Sequence, residues 1–255
     1  MTYMTKEEIW AAALRQSAVD LNCSPEDFGR EHSVVVRSAP HAGARKYLSL
    51  PFFCDLVSYG GNVVASVAPE AEAAVRAYVE RYAPEHCFET PNMNVLRPFG
   101  MRICFMAEYF LPDVSRMRQW DCGYALKVLG PADFAGLYRP EWSNALCEKR
   151  RELDVLAVGA YDGARLVGLA GCSADCESMW QIGVDVLPGY RRRGVAAALT
   201  SRLAAETLAR GKVPFYCAAW SNIKSVRNAV KCGFVPAWAE LTAKPEAFVR
   251  ELNGQ

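Results

Sequence analysis

The feature that most constrains the fold of this chain is a junction between a strand and a helix. An apolar strand is followed directly by a basic turn that contains glycine, and then by a helix of small residues. The segment reads VDVLPGYRRRGVAAALTS over residues 184–201. Pro188 ends the alternating strand, three arginines and Gly194 form the turn, and the alanines favour a helix. A strand followed at once by a helix is typical of sheets that are covered by helices. The sequence therefore predicts an α/β architecture around this junction.

The segments on either side of the junction predict a mixed sheet with flanking helices. Asp162 and Gly163 separate two apolar runs, a pattern that predicts a hairpin. Gly211 and Gly233 each follow a helical pattern and predict its end. The elements expected in this half are strands 124–129, 154–161, 165–171, 180–186, 213–220 and 234–241, two helical segments within 131–152, and helices 192–210 and 222–231.

The first half of the chain predicts a smaller α/β region of its own. Thr5 and Glu8 form a capping-box pattern at the start of a helix over residues 5–18. The further elements expected here are a helix that starts at Pro69 and strands 33–37, 47–58, 63–67 and 101–111. We therefore expect two domains, with residues 1–120 as the N-terminal region and residues 121–255 as the domain that carries the chemistry.

The composition is that of a globular protein without a strongly charged partner. Lys and Arg total 29 against 28 for Asp and Glu, a formal net charge of +1, which gives no reason to expect nucleic acid. No apolar run reaches the length of a membrane span, and the N-terminus lacks the apolar core of a signal peptide. The ten cysteines are scattered without CxxC spacing, so we expect reduced thiols, no metal site and a cytoplasmic protein.

The turn before the alanine-rich helix has the chemistry of an anion site. The first turn of a helix presents main-chain N–H groups without intrahelical partners, at the positive end of the helix dipole. Gly194 keeps Cβ bulk away from those groups, and Arg191, Arg192 and Arg193 add fork-shaped donors suited to phosphate oxygens. The alternative is a solvated basic turn in front of an ordinary helix, and the turn alone does not decide between them.

A second strand-to-helix junction in the same half supports the anion site. Asn222 follows a predicted strand and stands at a helix start, and the two junctions place polar donors at the same edge of the sheet. Together these motifs resemble the signatures of the GNAT N-acetyltransferase superfamily. The first is Val184-x-Val186-x-Pro188 followed by Arg191-x-x-Gly194-x-Ala196. The second is Asn222-x-x-Ser225 with a later Gly233-Phe234. The resemblance covers about residues 122–243 and extends to a bacterial group with an added N-terminal region.

The resemblance implies a fold, a donor and a set of binding residues. The expected fold is a GNAT-like mixed central sheet with flanking helices, and the expected co-substrate is acetyl-CoA, with no metal. Val184 and Val186 would pair through the main chain with the pantetheine arm, while Asn222 and Ser225 would touch the middle of the cofactor. The residues whose amides or side chains would hold the pyrophosphate are Arg191, Arg192, Arg193, Gly194, Val195, Ala196 and Ala197.

The catalytic groups are less clear from the sequence. GNAT enzymes often place an acidic tyrosine seven residues after the motif asparagine, and here that position is Ala229. Tyr216 and Tyr190 are nearby in sequence but occupy other positions. For the general base, Glu177 before the central strand and Asp185 within it are the candidates. The alternative for Glu177 is a solvated hairpin residue, and the alternative for Asp185 is a buried structural acid.

These observations predict an acyltransferase that acts by direct attack of a neutral amine on acetyl-CoA, without a covalent enzyme intermediate. The expected acceptor is a small-molecule amine or a peptide. A homodimer stays open, and neither nucleic acid nor a membrane is expected as a partner. The alternative function is a non-catalytic acyl-CoA-binding or regulatory module, which the missing tyrosine favours.

Overall fold

The computed structural model describes residues 4–89 and 92–254. Its contacts divide the chain into two compact units, each made of two separate stretches of sequence. The first unit comprises residues 1–12 and 110–236, and the second comprises residues 13–109 and 237–255. The functional division expected at residue 120 stays a prediction.

Helices form where the sequence has strong helix formers and end at the expected glycines. Thr5 and Glu8 make the reciprocal capping-box hydrogen bonds at the start of the first helix. Gly211 and Gly233 follow the ends of two further helices with positive φ angles. The α-helices are α1 (Lys6–Leu21), α2 (Glu72–Arg81), α3 (Asn92–Val95), α4 (Val195–Leu208), α5 (Ile223–Lys231) and α6 (Glu246–Leu252). No helix within the described ranges is both long and apolar enough to cross a membrane.

The strands follow the β-branched and alternating segments of the sequence. They are β1 (Val34–Arg37), β2 (Cys54–Ser58), β3 (Val64–Val67), β4 (Met101–Pro112), β5 (Ala125–Leu129), β6 (Asp154–Asp162), β7 (Arg165–Ser173), β8 (Met179–Val186), β9 (Val213–Ala219) and β10 (Phe234–Pro245). The strand expected over residues 47–58 is wrong in its first part, because only its last five residues are in a strand.

The first unit contains a mixed sheet in the order β9-β8-β7-β6-β5. β5, β6, β7 and β8 pair antiparallel in sequence order, and β8 pairs parallel with β9. The hairpin between β6 and β7 turns at Gly163, whose φ of 60° explains the glycine there. The expected mixed sheet with flanking helices is confirmed.

The two faces of this sheet are covered by different structures. On one face, α4 packs against β6, β7 and β8, and a Cβ at Gly168 would lie only 2.8 Å from the Val195 side chain. On the other face, Trp142, Ala145 and Leu146 of a long loop pack against Leu169. Successive residues of β8 therefore point alternately toward α4 and toward this loop.

The loop over residues 130–147 contradicts the expectation of two helical segments within 131–152. Short 3-10 turns form at Pro131–Asp133 and Pro140–Trp142 within the loop, and a third, Glu148–Leu153, follows directly after it. Each of the first two turns begins with a proline, which fixes its first φ angle and supplies no N–H. The backbone of Asn144 and Ala145 then lies directly on Gly183 and Gly171 of the sheet, which holds the loop in a path of short turns.

The second unit has its own mixed sheet, in the order β1-β3-β2-β10. β1 pairs parallel with β3, while β2 pairs antiparallel with both β3 and β10. α2 follows β3 and buries Val75, Tyr78 and Val79 against an apolar cluster of this unit. The second unit is therefore a compact α/β structure with a core of its own.

Arg45 is buried in the second unit among acidic and aromatic side chains. Its guanidinium bonds to Asp20 and lies 3.5 Å from Glu240, with exposed side-chain fractions of 2%, 0% and 6% respectively. The ring of Trp238 lies 5.7 Å from the guanidinium carbon. Burial raises the pKa of nearby Asp55 well above its ordinary range, and the neighbouring Glu240 adds to that rise. One cation thus offsets the negative charge of a fully buried polar cluster.

We expect Arg45→Met to lower the free energy of unfolding by about 3–5 kcal/mol, because it leaves buried carboxylates without their cation. Arg37→Met is the matched control, since Arg37 forms an ion pair with Glu72 while 71% of its side chain is exposed. That change should cost less than about 1 kcal/mol. Urea denaturation of both variants measures the difference, and equal stability would contradict the importance assigned to the buried cluster.

Candidate functional site

The two parallel strands β8 and β9 separate where their register ends. Pairing runs from Met179 opposite Val213 to Ile182 opposite Tyr216. β8 then continues to Val186 and β9 to Ala219, and no register pairs these ends of the described strands. The gap leaves main-chain groups of a central strand without a neighbouring strand, and such groups require another hydrogen-bonding partner.

The free edge of β8 presents the main-chain groups of Val184 and Val186. The other edge is paired with β7, where Leu187 N–H donates to the Val167 carbonyl at 3.0 Å. Because main-chain groups alternate between the two edges, the N–H groups of Val184 and Val186 face the gap. The Val186 carbonyl accepts a hydrogen bond from Arg191 Nε at 2.9 Å, so this arginine is anchored at the mouth of the gap.

The turn before α4 presents six consecutive main-chain N–H groups. The first helical hydrogen bond runs from Ala198 N–H to the Gly194 carbonyl at 3.0 Å. Among the described residues, no acceptor bonds to the N–H groups of residues 192–197. Gly194 caps the helix with a φ of 81°, and Arg192 also has a positive φ, of 63°. This conformation turns successive amides toward one side, as in main-chain anion sites.

These elements enclose an open cavity of about 480 Å³. Its lining combines the free edge of β8, the turn before α4 and one side of α5. Basic side chains at the cavity are Arg191, Arg192, Lys224 and Lys231, and none of them forms an ion pair with a described carboxylate. The unpaired positive charge and the helix dipole together favour a polyanionic ligand.

α5 brings polar side chains to the same cavity. Asn222 caps this helix by accepting a hydrogen bond from Ser225 N–H at 3.3 Å. The Ser225 hydroxyl lies 2.9 Å from the hydroxyl of Tyr216 on β9. Only 2% of Tyr216 is exposed, and this burial raises the pKa of its phenol above the ordinary value. The phenol is therefore protonated throughout the neutral pH range.

Asp185 reaches the opposite face of the sheet and holds the loop there. Its Oδ2 accepts hydrogen bonds from Asn144 N–H at 2.8 Å and Ala145 N–H at 3.0 Å. Its Oδ1 accepts a hydrogen bond from Asn144 Nδ2 at 2.6 Å. Both carboxylate oxygens are thus bonded to the loop.

Two glycines allow the loop to lie directly on the strands. Gly171 and Gly183 are opposite each other in the register of β7 and β8. A Cβ at Gly183 would lie 1.7 Å from the Asn144 carbonyl oxygen, and one at Gly171 would lie 2.0 Å from that of Ala145. Glycine is required at both positions because the loop backbone occupies the space of a side chain.

The structure brings most of the sequence-predicted residues to this cavity. Val184, Asp185, Val186, Asn222 and Ser225 line it. Arg191, Arg192, Gly194, Val195, Ala196 and Ala197 line it as well. Arg193 is exposed beside it, and its Nη1 donates to the Tyr124 hydroxyl at 3.1 Å.

Two other positions do not contribute to the cavity lining. Glu177 is exposed before the start of β8, about 20 Å of extended strand from Val184, and is not a lining residue. Ala229 is fully buried in the core between α5 and the sheet. The catalytic assignments of Glu177 and Asp185 stay predictions.

Sequence reasoning missed several residues of the cavity. Lys224, Asn228 and Lys231 line it from α5, and Asn144 lines it from the loop. The helical spacing of the three α5 residues after Asn222 is a signal that could have identified them. Nothing local to Asn144 could have done so, because its place depends on Asp185, about forty residues later. Within the described ranges, no group of three or more His, Cys, Asp or Glu could hold a metal ion.

Comparison with known proteins gives a family for this architecture. Residues 112–238 match the family model described as GNAT acetyltransferase. A GCN5-related N-acetyltransferase from Kribbella flavida is 15% identical, over 92% of this chain and 95% of that chain, with a TM-score of 0.50. A GNAT-family protein from Novosphingobium aromaticivorans is 22% identical, over 70% of this chain and 82% of that chain, with a TM-score of 0.46. A comparison with curated proteins finds no match.

The matched residues include β8, α4, β9 and α5, the elements that build the cavity. Through residues 112–238 the chain belongs to the GNAT acetyltransferase superfamily, and it is an acyltransferase. The resemblance inferred from the two strand-to-helix motifs is confirmed.

We expect Gly183→Ala to lower the free energy of unfolding by more than about 2 kcal/mol or to displace the loop, because the new methyl group would overlap the Asn144 carbonyl. Gly189→Ala is the control, since no atom lies within 4 Å of a Cβ there. Thermal unfolding compares the two variants. A Gly183→Ala protein as stable as the control, with the Asn144 and Ala145 amides still protected from hydrogen exchange, would contradict this close packing.

Proposed function

We propose that this protein transfers an acetyl or related acyl group from acyl-CoA to an amine by direct attack. The observation that carries the proposal is the row of six unbonded N–H groups at residues 192–197, beside the gap between β8 and β9. A diphosphate has the oxygens to accept these hydrogen bonds, and the arginines and the helix dipole favour its charge. An extended amide-containing arm fits the gap, where it can pair with the main chain of Val184 and Val186.

The donor thioester supplies an activated acyl carbon and a sulfur leaving group. Of the two N–H groups that face the gap, that of Val184 is farther from the basic turn and is suited to polarise the thioester carbonyl, which leaves the Val184 carbonyl and the Val186 N–H for the arm. Lys224 and Lys231 lie on α5 and add positive charge on the other side of the cavity. Asn222 and Ser225 contribute polar groups between these two ends. The residues present therefore fit acetyl-CoA as the co-substrate.

Tyr216 is the proton donor that we propose for the departing sulfur. Tyr216 is among the residues that line the cavity, and burial raises the pKa of its phenol, which keeps it protonated at neutral pH. Ala229 offers no proton at the position where related enzymes often carry a tyrosine. A thiol has an ordinary pKa of about 8.5, so the CoA thiolate is already a moderately good leaving group, and the proton donor assists its departure.

The proposed site of action is the cytoplasm. None of the ten cysteines forms a disulfide. Proteins of oxidising compartments commonly use such bonds, whereas reduced thiols are usual in the cytoplasm. The acceptor that we propose is a small-molecule amine or a peptide.

Gly194→Glu should weaken CoA binding at least about 100-fold, or about 2.7 kcal/mol, because it places a negative side chain beside the unbonded amides. Gly211→Glu is the matched control: it lies beyond the other end of α4, also has a positive φ of 70°, and has open space around its Cβ. Both variants carry similar backbone strain. Calorimetric titration with CoA measures the affinities, and unchanged affinity in folded Gly194→Glu protein would refute the proposal.

Tyr216→Phe should lower kcat about tenfold or more while the Kd for CoA changes little, because only the proton for the sulfur is lost. Since the pKa of Tyr216 is raised, the activity of the unaltered protein should persist on the alkaline side until the phenol ionises. Tyr161→Phe, on β6 and away from the cavity, is the control. Equal kcat values in the three proteins would exclude Tyr216 as the donor.

A further inference from the structure

We infer that Asn144 forms the acceptor subsite and that this subsite selects weakly basic amines, of the α-amine class found at peptide N-termini. The inference rests on the proposed acyl transfer and adds to it the place and the chemistry of the acceptor. It is carried by the loop that lies on Gly183 and by the hydrogen bonds of the single cavity carboxylate in the described structure.

The loop approaches the gap from the face opposite α4. Gly183 is the first residue of β8 beyond the last paired position, and the Asn144 carbonyl lies directly on it. α4 and its unbonded amides lie toward the other face of the same strand. A donor held from the α4 side would therefore present its acyl carbon to a nucleophile arriving from the side of Asn144. This placement suits direct attack with both substrates bound.

The Asn144 side chain has an oxygen available for that nucleophile. Its Nδ2 donates to Asp185 Oδ1, which fixes the orientation of the carboxamide. No described residue donates a hydrogen bond to Asn144 Oδ1, and the side chain is exposed. A carboxamide oxygen can accept a hydrogen bond from an amine N–H, but it cannot take up the proton at neutral pH. Asn144 is thus an orienting group, and Asp185 positions it.

Among the described residues that line the cavity, the one carboxylate is bonded to the loop, so it is not free to hold an ammonium ion or remove its proton. Both oxygens of Asp185 already accept hydrogen bonds from the loop. The other ionisable groups that line the cavity are Tyr190, Tyr216, Arg191, Arg192, Lys224 and Lys231. The tyrosines are neutral and the rest are cationic, so none attracts a second cation. The acceptor must therefore reach the site as a neutral amine.

The ordinary pKa of an amine then determines the fraction of it that is neutral and can attack the acyl carbon. An α-amine with a pKa near 7.8 is roughly one third neutral at pH 7.5, whereas a lysine ε-amine with a pKa near 10.4 is roughly 0.1% neutral. In the transfer, the acceptor nitrogen forms a bond to the acyl carbon and gives one proton to water. The carbon–sulfur bond breaks, and Tyr216 gives one proton to the sulfur. Tyr216 then regains one proton from water, which balances the proton that the amine released, so no further reactant is required.

Two isomeric compounds test the inference, because they differ only in which amine is free. Nε-acetyl-lysine amide offers an α-amine, and Nα-acetyl-lysine amide offers an ε-amine. With acetyl-CoA at pH 7.5, thiol release should be at least about tenfold faster with the α-amine isomer. That preference should decrease as the pH rises toward 9.5, because the ε-amine becomes increasingly neutral. An equal rate at pH 7.5, or a preference for the ε-amine, would overturn the inference.

A binding measurement separates Asn144 from the chemistry. With CoA saturating, Asn144→Ala should weaken binding of the α-amine isomer at least about fivefold and leave the Kd for CoA unchanged. Ser143→Ala, the exposed neighbour in the same loop, should change neither. Equal binding of the isomer to the two variants would remove Asn144 from the subsite.

The positioning role of Asp185 has its own signature. Asp185→Ala should speed hydrogen exchange at the amides of Asn144 and Ala145 and raise the KM for the α-amine. The pH profile of kcat in this variant should have the same shape as in the unaltered protein. Loss of the acidic limb of that profile in Asp185→Asn would instead make Asp185 the base and overturn the assignment.

The outcomes also distinguish this inference from the proposed function. If CoA binds but neither isomer is acylated, the acceptor class is wrong while donor binding stands. If CoA itself does not bind to the folded protein, the proposed function fails, and the acceptor subsite fails with it.

Discussion

The separation of β8 from β9 is the constraint on which the rest of the site depends. A parallel pair that stops at Ile182 and Tyr216 leaves extended main chain without a partner inside a sheet. Buried N–H and carbonyl groups are costly when unpaired, so a ligand that supplies a strand-like set of amides relieves that cost. The basic turn that follows β8 provides a second binding element at the same end of the gap. One break in a sheet thus creates both a slot for an extended arm and an anchor for its charged end.

In the proposed reaction, one face of β8 serves the acyl donor and the other face serves the amine acceptor. Side chains of Val184 and Val186 pack toward the α4 side, while Gly183 and Asp185 face the loop. The period of two along a strand therefore places the donor and acceptor sides on alternate residues of one short segment. Because Gly183 has no side chain, the loop can lie directly on β8. The Asp185 carboxylate fixes the orientation of the loop. The loop makes its own short turns, and β8 adds hydrogen bonds from the Asp185 carboxylate to Asn144 and Ala145.

The sequence predicts the parts of this site that depend on local chemistry. The strand before Pro188, the glycine before α4 and the Asn222 cap all follow from residue propensities within a few positions, and the structure has these elements near the expected places. The loop over residues 130–147 could not be predicted in this way. Its path depends on contacts with Gly171, Gly183 and Asp185, which follow later in the chain. The burial of Arg45 with Asp20 and Glu240 is likewise a product of long-range packing, and no local pattern indicates it.

The position of Ala229 is consistent with the proposal that Tyr216, and not a residue of α5, gives the proton to the sulfur. Ala229 on α5 and Tyr216 on β9 belong to the same buried cluster, so both elements form walls of one space. Ala229 is fully buried, whereas Tyr216 on the strand is among the residues that line the cavity, and its hydroxyl bonds to that of Ser225 on the same helix. The chemical requirement is a protonated hydroxyl near the sulfur, which burial of a phenol satisfies from either element. The N–H groups of residues 192–197 do not depend on the choice of one particular side chain, because every residue except proline has a backbone amide.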